Sequence, residues 1–525
     1  MPSTKKLLSI TNLKKYFPIA KSSIFQRQQY YVKANEDISL DIYEGETLGI
    51  VGESGCGKST LGRVLLQLYE QTAGTTMYYG MSRAELAPRY VTDTLRHAKR
   101  YISKLHAAQA RADAASAKVS QLGEAATFFD LQNKNLAVAE YQTAQAHIAK
   151  ILGGFLVRDT EQGAALLYRK ARLEERAAAL SDRIRDIELM LDEAEGGTAD
   201  DGKPANASQL ARLKGRCDRL TPQIREAEQS IAAIKQAHRD DQEFQRYEAM
   251  LDDGIDLARL KYSEMRILRK DLQIIFQDPY SSLNPRFTIG QIIEEGLVTH
   301  KFFRHGSPKM REHVVRTMKE CGLQEYMLFR YPHQFSGGQR QRISIARALA
   351  VHPKFVVCDE CVSALDVSIQ SQIINLLQEL KQKEHLTYMF ISHDLSVVRY
   401  ISDRICVMYL GNVVELADAA TVFGDPRHPY TVALLSSIPT TDMESLKKER
   451  ILLEGSIPSP VKPPDGCKFH TRCWMACDKC RRVPPPLAEI EPGHFVACHF
   501  PERKLDENGN YLFEMPKTEK KSAKE

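Results

Sequence analysis

The chain has 525 residues, more than one ordinary domain holds, so two to three structural units are expected. Its 43% apolar and 26% charged residues are ordinary for a globular chain, and a net charge of +5 is too slight to point to nucleic acid. No uninterrupted apolar run reaches the roughly 20 residues that span a bilayer. The opening MPSTKKLLSITNLKKYF lacks the apolar core of a secretory signal. Any membrane association is therefore expected to come through partner proteins.

Residues 1–80 read as strands leading into a glycine-rich loop. LLSITNL and ISLDI alternate and are β-prone, VKAN and EGET supply turn residues, and ETLGIVG is a short apolar strand. It runs into Gly52, Glu53, Ser54, Gly55, Cys56, Gly57, Lys58 and Ser59, the full phosphate-binding-loop pattern. Glycines there let backbone N–H groups turn inward around a β-phosphate, and the N-terminus of the helix that follows favours negative charge. Lys58 can reach the β- and γ-phosphates of ATP and Ser59 offers a hydroxyl to Mg²⁺, with Thr60 next in the nucleotide-contacting set.

Composition changes around Gly80. From Ser82 to about Asp253 the chain is rich in Ala, Glu, Arg, Lys, Leu and Gln, with proline only at Pro88, Pro204 and Pro222. Ser82 and Glu85 have capping-box spacing, which predicts a helix start. Two heptad runs follow: Leu173, Ala177, Leu180, Ile184, Ile187 and Leu191, then Leu213, Cys217, Leu220, Ile224, Ala227, Ile231 and Ile234. GGTADDGKPANAS between them reads as a polar turn with Ser208 capping the second helix, and Pro222 is expected to kink that helix. The pair predicts an antiparallel coiled coil, read as a binding or regulatory arm rather than a solvated spacer.

KDLQIIFQDPYSSLNP resumes the strand-and-loop style. Residues 307–350 read as mostly helical, FVVCDE and LTYMFISHD as buried strands, and VVRYISD as helix. This alternation argues for a mostly parallel α/β core. FVVCDE delivers two carboxylates to a strand end downstream of a phosphate loop. Asp359 is expected to hold Mg²⁺ through water and Glu360 to polarise the attacking water. Beyond about residue 439 the chain is rich in proline and cysteine and finally charged, with its last residues expected to be disordered.

Phe335, Ser336, Gly337, Gly338 and Gln339 resemble the signature motif of ABC ATPases, which in that family grips the γ-phosphate of ATP bound to the opposite subunit. Glycines ahead of a helix expose N–H groups to such an anion. Gln277 matches the family's Q-loop glutamine, Ser363 to Asp366 its D-loop, and His393 its switch histidine. The resemblance implies a catalytic set of Lys58, Gln277, Glu360 and His393, with Gln277 also at Mg²⁺ and Asp366 at the nucleotide. Tyr16, ahead of Phe17, sits where the family stacks an aromatic ring on adenine.

EMRILRKDLQIIFQDPYSSLNP, RYPHQFSGGQRQRISIARAL, SALDVSIQ and HPYTVALLSSIP are similar to ATPase subunits of oligopeptide and dipeptide ABC importers. LKKYFP leans towards the second of the paired ATPases in those systems. That resemblance implies an ATP-hydrolysing subunit on the cytoplasmic face of the membrane. It would dimerise with a second ABC ATPase, of different or identical sequence, and dock on two permease subunits through the segment after Gln277. A solute-binding protein would deliver peptide from outside, and no nucleic acid is expected. The rival is a soluble ABC ATPase of DNA metabolism. In such relatives the coil separates Q-loop from signature, whereas here it precedes Gln277.

Two departures stand out. Cys361 follows Glu360 where the family generally has proline, and a packing substitution that leaves hydrolysis intact is expected. The larger one is the insertion: GIDLARLKYSEMR matches what normally follows the strand ending near Gly80, so the intervening residues are spliced into one hairpin region. Insertions whose ends lie close are well tolerated. The expected organisation is an α/β ABC nucleotide-binding domain over 1–80 and 254–438, a helical coiled-coil insertion over 81–253, and a cysteine-bearing C-terminal region over 439–525.

Cysteines crowd that last region, at Cys467, Cys473, Cys477, Cys480 and Cys498, which without an export signal favours a metal site over disulfides. Cys467, Cys473, Cys480 and Cys498 resemble the four-cysteine tail of the same importer family, which in some members holds a [4Fe–4S] cluster. Thiolates suit iron–sulfur and structural zinc alike, and Cys477 is an extra candidate.

Overall fold

β-Prone runs form β1 (Lys6–Pro18), β2 (Tyr31–Tyr43), β3 (Thr47–Val51) and β4 (Ala73–Tyr78), then β5 (Ile255–Asp256) and β6 (Leu272–Ile275) beyond the helical segment. There follow β7 (Phe355–Asp359), β8 (Thr387–Ile391), β9 (Arg404–Tyr409), β10 (Asn412–Asp418), β11 (Ala488–Glu491) and β12 (His494–Val496). The computed structural model describes residues 5–21, 28–195, 203–438 and 451–501. One sheet is antiparallel in the order β2-β1-β4-β5; the other runs β11-β12-β10-β9-β3-β8-β7-β6, parallel from β9 to β6. β3, β7 and β8 are buried along their whole length. Covering on both faces explains why they read as unbroken apolar runs.

The helical segment leaves and returns through one hairpin, because β4 pairs with β5 at Met77–Asp256 and Tyr78–Ile255. Its two ends are clasped by Asp252, whose carboxylate accepts from Tyr79 Oη at 3.0 Å and Lys150 Nζ at 2.8 Å. A separate apolar core gathers Leu95, Ile148, Leu152, Phe155, Ile231 and Phe244 from several of its helices. Farther out, Leu180 and Ile187 of helix Thr160–Glu195 pack against Leu213 of helix Lys203–Asp218, with Ile184, Cys217 and Leu220 beside them. Lys214 pairs with Glu188 at 2.9 Å and Arg169 with Glu226 at 3.4 Å, so the chain directions oppose. Leu191 lies on helix Thr160–Glu195, but its side chain and most of the intervening polar turn lie outside what is described.

Several local expectations need correction. VKAN is not a turn but lies inside β2. Ser82 and Glu85 do form a capping box, yet the helix they open is only Arg83–Leu86, because Ala87 turns left-handed and Pro88 cannot continue it. Ser208 sits inside helix Lys203–Asp218 rather than at its cap. Pro222 does not kink a continuous helix; the chain breaks after Asp218 and Pro222 occupies the first turn of helix Thr221–Ala237, where a missing N–H costs nothing. The charged tail, residues 502–525, lies outside the described residues. Among those described, no helix is long and apolar enough to cross a membrane.

Candidate active site

Four neighbouring parallel strands, in the order β3-β8-β7-β6, release their C-termini side by side. In such sheets the crevice beyond the carboxyl ends is where ligands bind. β3 delivers the loop Gly52–Ser59, β8 the turn with His393, β7 Asp359 and Glu360, and β6 Gln277.

The loop is shaped by glycines at φ 149° (Gly52), 80° (Gly55) and 99° (Gly57), after which helix Lys58–Leu65 begins. A Cβ at Gly52 would lie 2.2 Å from the Met408 carbonyl oxygen, and one at Gly57 2.1 Å from that of Ala34. Lys58 is buried, and its Nζ donates to the carbonyls of Gly52 at 2.7 Å and Glu53 at 3.1 Å, which lays its charge across the loop. Ser54 is exposed, while Ser59 and Thr60 are half-buried on the first helical turn. Cys56 is buried, and burial pushes its thiol pKa up, so it packs as a neutral side chain. The arrangement can cradle an anion with backbone N–H groups and one ammonium.

Asp359 is 2% exposed. Its Oδ2 accepts from Arg63 Nη2 at 3.2 Å, whereas its buried Oδ1 has no protein partner. A buried carboxylate oxygen left unpaired is costly, and a divalent cation with its waters would satisfy it, so this donor set fits Mg²⁺. Sequence reasoning misses Arg63, although it lies four residues after Ser59 on the same helical face. Glu360 adopts φ 49°, a left-handed conformation that non-glycine residues seldom take. Its amide donates to Ile391 O at 3.1 Å. Its Oε2 accepts from Gln277 Nε2 at 2.9 Å and lies 3.6 Å from His393 Nδ1. Gln277, Glu360 and His393 are thus brought together from three strand ends.

The remaining candidate residues lie apart from that group. Ser336 caps helix Gly337–Leu349: its Oγ accepts from Gln339 N and Gln339 Oε1 accepts from Ser336 N, at 3.4 and 3.2 Å. The Gln339 amide is therefore engaged within the cap. Gly337 and Gly338 form the half-buried first turn, and Asp366 is exposed at the start of helix Val367–Glu384. Cys361 is packed in the main apolar core, as a packing substitution would be.

Tyr16 is a correction. It is 5% exposed, and its hydroxyl donates to Glu36 Oε1 at 2.8 Å, so its ring offers no open face to a base. The packing of Tyr31 and Lys33 around it explains the closure, which a strand pattern alone does not reveal. Phe17 is half-buried, edge-on to Tyr69 with Lys15 Nζ 4.6 Å from its ring centroid.

Cys467, Cys473, Cys480 and Cys498 line one small cavity together with Phe469, His470 and His499. Cys477 approaches Cys480 with the sulfurs 3.7 Å apart but does not line it. Burial pushes the Cys473 thiol up to about 12 and that of Cys498 to about 11. Thiols so raised stay protonated at neutral pH unless a positive charge beside them offsets the burial. Among the described residues no three His, Cys, Asp or Glu side chains are gathered as ligands of a single metal ion.

Residues 35–155 and 218–363 match the family described as ABC transporter, and residues 414–480 the oligopeptide/dipeptide transporter C-terminal region. The oligopeptide transport ATP-binding protein AppF of Bacillus subtilis (strain 168) is 34% identical over 94% of this chain and 97% of its own length. The putative oligopeptide transport ATP-binding protein YkfD of the same organism is 53% identical over 47% of this chain and 75% of its own. Among solved structures, the ATP-binding cassette MJ0796 bound to ADP and phosphate aligns at 17% identity with a TM-score of 0.41, covering 79% of this chain and 99% of that one.

Proposed function

The chain belongs to the ABC transporter family of ATP-binding proteins, and we propose that it hydrolyses ATP to power peptide import through a membrane ABC transporter. The observation that carries this reading is the convergence of the phosphate loop with Asp359 and the Gln277–Glu360–His393 group at adjacent strand ends. The C-terminal match to oligopeptide and dipeptide transporters supports peptide as cargo.

In this reading Lys58 and the N–H groups of the loop hold the β- and γ-phosphates. Ser59, Asp359 and Gln277 would hold Mg²⁺, which when bound neutralises phosphate charge. Glu360 draws a proton from the attacking water, while Gln277 and His393 fix its carboxylate and the water's position. The outward-facing cap Ser336–Gln339, with Asp366, suits contact with ATP held by a second ABC ATPase subunit, each site being completed in trans. Tyr280, three residues after Gln277, is exposed, as are Phe287 and Phe329. Such exposed rings suit docking on two permease subunits at the cytoplasmic face. A solute-binding protein would act only through those permeases.

The domain boundaries expected from sequence carry over to this proposal, with residues 81–253 as a coiled-coil arm that reaches the permease, the twin ATPase or a regulator. Affinity purification from gently solubilised native membranes tests both points. Full-length chain should recover two multi-spanning proteins and a second ATPase. A chain lacking residues 82–252, joined by a short linker, should recover them in altered ratio or transport less. Recovery with DNA-associated proteins from the soluble fraction would overturn the transport reading, and wild-type assembly and transport by the shortened chain would overturn the arm's role.

Cys467, Cys473, Cys480 and Cys498 would hold a [4Fe–4S] cluster or zinc, a group that would stiffen the region by cross-linking it. Anaerobic purification should give either a brown visible chromophore with iron and sulfide or a colourless chain with stoichiometric zinc. Either is expected to be lost in Cys473→Ser, and a chain free of both metals would end the proposal.

A further inference from the structure

The segment between Cys467 and Cys473 touches the phosphate loop through Arg472 and strand β2 through Lys468. Arg472 forms a forked pair with Glu53 of the phosphate loop, Nη1 to Oε2 at 2.8 Å and Nη2 to Oε1 at 3.1 Å, with the arginine side chain only 7% exposed. Lys468 Nζ donates at 2.8 Å to Glu36 Oε2, the carboxylate that also receives Tyr16, and at 2.8 Å to Leu410 O. Phe469 between them packs on Tyr409 and Tyr430, at ring-centroid distances of 5.2 and 5.4 Å.

Glu53 is tied from every side. Its amide donates to Tyr430 Oη at 2.8 Å, its carbonyl accepts from Lys58 Nζ at 3.1 Å, and its carboxylate takes the arginine fork. An acidic residue inside a loop that must receive a polyphosphate is electrostatically adverse unless a cation offsets it. A bidentate arginine neutralises the charge and fixes the side chain's direction at once. Lys58 cannot serve both ends, since its charge is needed by the phosphates.

We infer that Arg472 is a positioning residue of the nucleotide site: it holds Glu53 neutralised and turned away from the phosphates, so the cysteine-bearing C-terminal segment forms part of the ATP site's wall. The inference rests on the reading of Gly52–Ser59 as the phosphate loop.

The test is equilibrium titration of the full chain with a fluorescent ATP analogue and Mg²⁺. Arg472→Gln should raise Kd about 10-fold. Arg472→Lys, which keeps charge but loses the fork, should raise it about 3-fold. The double variant Glu53→Gln/Arg472→Gln should return to within about 3-fold of wild type, because the carboxylate that needed neutralising is gone. A purely structural arginine would leave the double variant as weak as the single one, which would overturn the inference, as would unchanged affinity in Arg472→Gln. If Arg472→Gln does not fold, Arg472→Lys and the double variant decide alone. Absence of ATP binding by wild-type chain would instead overturn the phosphate-loop reading itself.

Discussion

Glu360→Gln is expected to leave ATP bound with near wild-type affinity while hydrolysis falls by about 10²–10⁴-fold, the span of a lost general base. The substitution is nearly isosteric, and a glutamine Oε1 can still accept the hydrogen bond that Gln277 Nε2 now gives to Oε2. The left-handed backbone at this position and its amide bond to Ile391 O are untouched. What vanishes is the negative oxygen able to draw a proton from water. Single-turnover hydrolysis measured beside equilibrium ATP titration separates the two quantities. Equal loss of binding would mean that Glu360 shapes the site rather than the chemistry, and unchanged turnover would put the water under another group's control.

Motifs that sit whole in the chain are legible in its sequence: the loop Gly52–Ser59, the strand delivering Asp359 and Glu360, and the glycines that open a helix after Ser336. Each is a local pattern whose spacing dictates its own geometry. The meeting of Gln277, Glu360 and His393 is legible only through resemblance, because residues 277, 360 and 393 are joined by sheet order and not by spacing. Tyr16 shows the limit most directly. Its place at the end of an alternating strand is readable, but the burial that closes its ring comes from Tyr31, Lys33 and Glu36 on β2. VKAN misleads for a related reason. Its polar residues suggest a turn, yet Ala34 and Asn35 are held in β2 by what they brace: Asn35 Nδ2 donates to Gly57 O at 3.1 Å. Arg472 leaves no trace in the sequence, since its partner is an acid remote along the chain and a lone arginine carries no pattern, and Arg63 shows only its helical spacing from Ser59. Heptad positions are readable where the helices persist, while Ser208 and Pro222 show how helix ends depend on a few residues of local competition.

That bracing makes Gly57 the position at which the smallest chemical change should do the most harm. Gly57→Ala is expected to weaken ATP binding by two orders of magnitude or more, roughly 3 kcal/mol or above. The added methyl would sit 2.1 Å from the Ala34 carbonyl oxygen and 2.9 Å from Asn35 Nδ2. Neither can retreat cheaply, because Ala34 sits at a bulge in β2 held on both sides by the Lys33–Tyr16 and Asn35–Lys15 pairs with β1, and the Asn35 amide is spent on Gly57 O. The loop must therefore move, and with it the N–H groups at the start of helix Lys58–Leu65. Gly55→Ala is the matched control. Gly55 also has positive φ, at 80°, but a Cβ there meets nothing within 4 Å. It should cost only the conformational penalty of about 1–2 kcal/mol, near 5- to 30-fold. Titration with ATP, alongside thermal melting to confirm folding, compares them directly. If the two alanines weaken binding equally, backbone handedness alone governs the loop. A larger loss at Gly57 means that contact with β2 sets the phosphate cradle, tying the antiparallel sheet to the chemistry at the parallel one.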